Sequence, residues 1–186
     1  SYSVHHYVED VIQTSDGDYI VVGGVGGDPL GGHAVQGKAF ILRMSEGGGV
    51  QWIKRYGIID TPNNTFWGVV EADDGGFVLA GEKLQDRNFE FYDHFWVMKT
   101  DAYGDEEWSI ESGGNLWDEA QDIVKLSDDS YIVTGKTSSS STNLNMKVMR
   151  VSSSGQILWQ NNHGGGNNDT ATGITLSQNE EMVAIV

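Results

Sequence analysis

One pattern returns along the chain at a nearly fixed step and limits what the chain can become. It begins as "DVIQTSDGDYIVVGG" at Asp10 and returns as "GVVEADDGGFVLAGE" at Gly68 and "DIVKLSDDSYIVTGK" at Asp122. A fourth copy, "GITLSQNEEMVAIV", runs from Gly173 to Val186. The first apolar positions, Val11, Val69, Ile123 and Ile174, are 58, 54 and 51 residues apart. Tyr19, Phe77, Tyr131 and Met182 repeat the same three steps, so the pattern tolerates no insertion. Alternating apolar residues on both sides of an Asp/Gly turn predict a β-hairpin. A second unit follows each of the first three: "AFILRMSEGGGVQW", "FWVMKTDAYGDEEW" and "VMRVSSSGQILW". In it Arg43, Lys99 and Arg150 precede Gly48, Gly104 and Gly155 by five residues, and each Gly precedes Trp52, Trp108 or Trp159 by four. It too reads as strand, turn, strand, with Phe40, Leu42 and Met44 on one face.

Four short strands in about 50 residues match the size of a propeller blade. The expected fold is therefore all-β: a β-propeller of four-stranded antiparallel blades, with about three and a half blades present. The whole chain, 1–186, reads as one repeat region with blades over about 8–56, 66–112 and 120–163 and a half blade over 171–186. The recurring Trp and turn Gly are expected to pack neighbouring blades together. Arg43, Lys99 and Arg150 are expected to form ion pairs between blades with Asp10 and Asp122. Propellers close with roughly four to eight blades. This count does not close, which predicts a part of a longer chain, or a subunit completed by another copy or by a partner strand.

The sequence "DGGFVLAG … FWVMKTDAYGDEEW … GG" resembles the DGGY-type propeller repeats of bacterial and archaeal secreted or surface proteins, over nearly the whole chain. The resemblance implies an extracellular or cell-surface location. The Gly-x-x-x-Trp spacing is also similar to the docking motif of quinoprotein propellers, although Leu42, Met98 and Met149 stand where that motif has Ala. The quinone cofactor is accordingly not expected.

Composition narrows the function further. Asp and Glu number 27 against 11 Lys and Arg, a net charge of -16, which argues against nucleic acid and anionic membrane surfaces. No apolar run reaches the length of a membrane span, so membrane insertion is not expected. There is no Cys, so neither a disulfide nor a thiolate metal site is available. The 25 Gly against two Pro suit many tight turns.

Connections of constant length lie at one end of such a meander, and variable ones at the other. From Gly23 to Arg43, Gly81 to Lys99 and Gly135 to Arg150 the spans are 20, 18 and 15 residues. Insertions gather on binding faces. The middle connection carries Arg87, Phe89, Phe91, Tyr92 and His94, residues suited to sugar or protein contact. Sequons at Asn63 and Asn168 fall on the same end and are the glycosylation candidates. Asp16-Gly17-Asp18 and Asp73-Asp74-Gly75 are the candidate calcium turns, but neither supplies a full oxygen set, and turn chemistry explains both. His5, His6, His33, His94 and His163 form no zinc pattern, so no metal and no cofactor are expected. No nucleophile stands beside a positioned base, so no catalytic residue is named. The function expected is a non-enzymatic extracellular module for binding or structural assembly. It would associate with itself, with another extracellular protein or with a glycan, as in a surface filament. The alternative is a carbohydrate-active or other enzyme with a central pocket.

Overall fold

The computed structural model describes residues 5–26, 37–57, 64–87, 90–114, 116–140, 142–177, 179 and 182–185. All regular structure among them is β-strand. The first unit holds β1 (His5–Gln13), β2 (Tyr19–Gly26), β3 (Lys38–Met44) and β4 (Val50–Tyr56). The second holds β5 (Thr65–Glu71), β6 (Phe77–Arg87), β7 (Glu90–Thr100) and β8 (Glu106–Ser112). The third holds β9 (Asp118–Lys125), β10 (Tyr131–Ser140), β11 (Asn143–Val151) and β12 (Ile157–His163). A last hairpin pairs β13 (Gly173–Leu176) with β14 (Met182–Ile185). Within each unit, consecutive strands pair antiparallel.

The turns come out as the sequence reading predicts. At Thr14, Ser45, Ala72, Asp101, Leu126 and Ser152 the backbone N–H donates to the carbonyl four residues on, and the carbonyl accepts from the N–H three residues on. That closure needs a left-handed residue at the fourth position. Five of the six turns place Gly there, and the sixth uses Asp129 at φ 56°. Asp is one of the few side chains that tolerate this region.

The propeller expectation does not survive. β2 bridges to β5 through Gly24 and Thr65, so the first two units run into a single eight-stranded sheet. Its order is β4-β3-β2-β5-β6-β7-β8 with β1 on β2, and it curls into half a barrel. β9–β12 form a separate four-stranded sheet, and β13–β14 a two-stranded one. No closed ring of separate blades is present among the described residues. The physical reason lies at Gly24: a Cβ there would stand 2.5 Å from Thr65 Oγ1, so only a bare backbone lets β5 approach. Hydrophobic alternation fixes strand pairing within a unit and says nothing about such a bridge.

The core lies between units. Ile20, Val22 and Ile41 of the first unit pack against Phe66, Leu79, Trp96 and Met98 of the second. The opposite face of the second unit, with Val78, Phe95 and Val97, packs against Ile123, Tyr131, Val133 and Met149 of the third. Ile132 and Val148 then meet Ile174 of the last hairpin.

Candidate docking surface between repeat units

The recurring Trp and Gly meet across the first two junctions, Trp52 and Trp108 each lying on the turn of the following unit. A Cβ on Gly104 would stand 2.9 Å from Trp52 Cζ3, and one on Gly155 would stand 2.8 Å from Trp108 Cδ2. Trp108 Nε1 donates to Ser153 O at 3.0 Å, and Tyr56 Oη donates to Gly104 O. β4 and β8 thus each grip the third turn of the unit that follows. Gly48, in the first unit, has φ +82° and nothing within 4 Å of a would-be Cβ. Ala at Gly48 should therefore carry only the left-handed penalty of about 1 kcal/mol. Ala at Gly104 should carry that penalty and the clash with Trp52, roughly 1–2 kcal/mol more. Chemical denaturation of the two variants measures the difference, and equal losses would show that the ring does not bear on the turn.

A second clamp joins the first strands. Asp10 Oδ1 accepts from its own neighbour Val11 N at 2.8 Å, and Oδ2 from Val69 N of the next unit at 3.0 Å. Asp122 does the same for Ile123 N and Ile174 N, both at 2.8 Å. Gly68 holds the equivalent place in the second unit, where a Cβ would meet Asp122 Cα at 3.3 Å.

This corrects the expected ion pairs. Asp10 and Asp122 serve backbone N–H groups, and the strand cations pair with the first turn of their own unit. Arg43 reaches Asp18 Oδ2 at 2.9 Å and Asp16. Lys99, whose side chain is 3% exposed, reaches Asp74 Oδ2 at 2.6 Å and also Glu107. Arg150 reaches Asp128 Oδ2 at 2.7 Å and Ser130 Oγ at 3.0 Å. The hydrogen bond from Thr14 holds Asp16 below the usual carboxylate range, and the one from Ser130 does so for Asp128. Burial pushes Asp74 up, yet Lys99 and Gly76 N hold it low. The carboxylates of the candidate calcium turns are thus engaged by hydroxyls, backbone and cations.

The two faces of the first unit differ. Val11 is 56% exposed, whereas its counterparts Val69, Ile123 and Ile174 are 3%, 3% and 7% exposed. Ile53 on β4 is 40% exposed on the same unit. At the far end, Ile157 and Leu158 on β12 are 44% and 51% exposed, and Trp159 is half-buried beside Ile174 and its neighbours.

The residues expected to bind a ligand on the middle connection are not gathered on a loop. β6 and β7 are eleven residues each and extend the hairpin far along that connection. Arg87 pairs in register with Glu90, and Phe91 with Asp86. Phe89 lies outside the described residues. Tyr92 is half-buried. His94 is buried, with Nδ1 4.0 Å from Glu111 Oε2 and Nε2 sealed from solvent without a hydrogen-bond partner among the described residues. Of the sequons, Asn63 lies outside the described residues, and Asn168 is exposed with its Oδ1 accepting from Leu144 N at 3.0 Å. A cavity of about 310 Å³ does occur at the variable end of the third unit, lined by Trp117, Asn143, Leu144 and Asn168 with Ser and Thr hydroxyls. It holds no ionisable side chain.

Sequence reasoning missed a group of carboxylates at the second junction. Glu82, Asp93 and Glu119 bring one oxygen each within 4.8 Å of the others. Burial pushes Glu82 up to about 9, with help from Glu119 and Asp93. Burial, then Glu119, pushes Asp93 up to about 6. The three lie on different strands of two units, so no local spacing signals them.

No family model matches the chain, and no curated protein does. Its fold is similar to the crystal structure of a protein of unknown function from Bacteroides caccae, with a TM-score of 0.55 at 13% identity. The likeness covers 96% of this chain and 53% of that one, so the chain spans about half the length of the solved protein.

Proposed function

We propose that the chain is a non-enzymatic structural module that assembles by stacking repeat units, with the open face of its first unit as the docking surface. The exposure of Val11 carries the reading. Every counterpart of Val11 is buried by the unit before it, and Val11 alone among the four is not. Gly48 supports the same reading, since its counterparts Gly104 and Gly155 each lie under a Trp. The occupant that fits is a further unit of the same build, bringing apolar strand residues to the Val11 edge and an aromatic ring to the Gly48 turn. In a solution of this chain alone, only a second copy supplies one. Such a contact is head-to-tail, so it generates rings or open arrays. The net charge of -16 opposes it, which makes association stronger as salt screens the repulsion. The cavity on the third unit suits a neutral polar ligand such as a glycan and offers no acid or base for catalysis. Work outside the cell or at its surface rests on the resemblance to secreted repeat proteins.

Sedimentation velocity over a concentration series, with electron microscopy of the heaviest species, tests this. The chain should associate more at physiological salt than at low salt, and Val11→Asp should leave it folded and monomeric. A chain that stays monomeric at every concentration and salt, or a Val11→Asp variant that associates as before, overturns the reading.

A further inference from the structure

The carboxylates at the second junction go beyond assembly. Glu82 projects from β6, Asp93 from β7 and Glu119 from β9, so the group spans the second and third units. An acidic group is by itself ordinary. Two observations set this one apart. Glu82 is only 7% exposed, and its carboxylate takes no hydrogen bond and no ion pair among the described residues. Asp93 Oδ1 is sealed from solvent and receives no donor among the described residues. Buried carboxylates without donors are strongly disfavoured unless something neutralises them. Lys136 is the nearby cation, and it is held by Glu119 Oε1 at 2.9 Å. Glu119 Oε2 in turn accepts from Gln121 Nε2 at 2.8 Å, which fixes that carboxylate in place.

The spacing suits an ion. Oxygens bound at about 2.3–2.6 Å from one calcium are at most roughly 5 Å apart. Three oxygens mutually within 4.8 Å fall inside that limit. An all-oxygen, doubly negative surrounding (three carboxylates and one ammonium) selects a hard cation over a soft one. We propose that Glu82, Asp93 and Glu119 bind a hard divalent cation of the calcium or magnesium class, which ties the third unit to the second. Water and backbone carbonyls complete the coordination. Because the ligands come from two units, the folded junction binds the ion and the unfolded chain does not, so binding stabilises the fold.

The test uses the whole chain after treatment with chelator. Calcium chloride and magnesium chloride are titrated separately near neutral pH, with calorimetric binding and thermal unfolding as readouts. At least one ion should bind and raise Tm. Glu82→Gln should keep the circular dichroism of the parent and weaken binding at least about tenfold. Asp105→Asn, which changes a carboxylate on an exposed turn, should bind as the parent does. If Glu82→Gln fails to fold, Glu119→Gln takes its place. No Tm rise with either ion at millimolar concentration overturns the proposal and leaves a shared proton as the neutralising charge. A full Tm rise retained in the folded Glu82→Gln or Glu119→Gln variant overturns it as well.

Discussion

Replacing Gly81 by Ala should destabilise the chain by about 3 kcal/mol or more, although the change adds one methyl group. A Cβ at Gly81 would stand 2.1 Å from the carbonyl oxygen of Thr65. Gly23 and Gly135 meet the same obstacle, 1.9 Å from Tyr7 O and 2.0 Å from Glu119 O. All three lie opposite an irregularity in the first strand of their unit, where the register skips a residue between Val8 and Asp10, between Phe66 and Gly68, and between Ala120 and Asp122. The extra residue of a bulge pushes the backbone toward the neighbouring strand, and a glycine leaves room for it. A backbone carbonyl held in a ladder cannot swing aside as a side-chain tip can, so the strain must spread into the sheet. For a chain of this size the loss corresponds to a fall in Tm of roughly 10 °C. Gly114→Ala is the control, because nothing lies within 4 Å of its Cβ position. Thermal unfolding of the two variants decides the matter. A Gly81→Ala chain as stable as Gly114→Ala would mean that the bulge relaxes freely.

Much of this fold can be read in the sequence, because local rules govern it. Alternation at period two, bounded by Asp/Gly turns, identifies the four-stranded units, and the Gly-x-x-x-Trp spacing identifies what packs them. The rest depends on how one unit sits on another. The bridge between Gly24 and Thr65 that merges two units has no signature in either strand. Recurrence alone points the strand cations at Asp10 and Asp122, yet turns one strand away carry Asp16, Asp74 and Asp128 within reach. The recurrence of Asp in all three first turns was the signal that could have found them. The length of its connection marks His94 as an exposed contact, and the lengthened hairpin puts it inside. Glu82, Asp93 and Glu119 come together only after register and stacking are both set.

Those same carboxylates should give the chain an unusual pH profile, with its greatest stability on the acidic side of neutrality in chelator-treated buffer. Burial, Glu119 and Asp93 raise Glu82 from 4.5 to about 9 in the folded chain. Burial raises Asp93 from 3.8 to about 6, and Asp122 moves in the same direction for the same reason. Between the ordinary and raised values the folded chain keeps protons that the unfolded chain has released. Stability then falls as pH rises, over a window from about 4.5 to about 9 for Glu82. The turn carboxylates work in the opposite sense at the acid end. Asp16, Asp74 and Asp128 are lowered in the folded chain. Below the ordinary carboxylate value of about 4 the unfolded chain takes up protons that these groups refuse, so stability falls there with falling pH. The two limbs leave an optimum near pH 5, roughly where the lowered groups are ionised and the raised ones remain protonated. Thermal unfolding across the range should show Tm several degrees higher there than near pH 9. Glu82→Gln, which cannot ionise, should remove most of the alkaline slope and leave the acid limb in place. A Tm that holds level from mildly acidic to alkaline pH in the parent chain would mean that water reaches Glu82 and keeps it ionised without penalty.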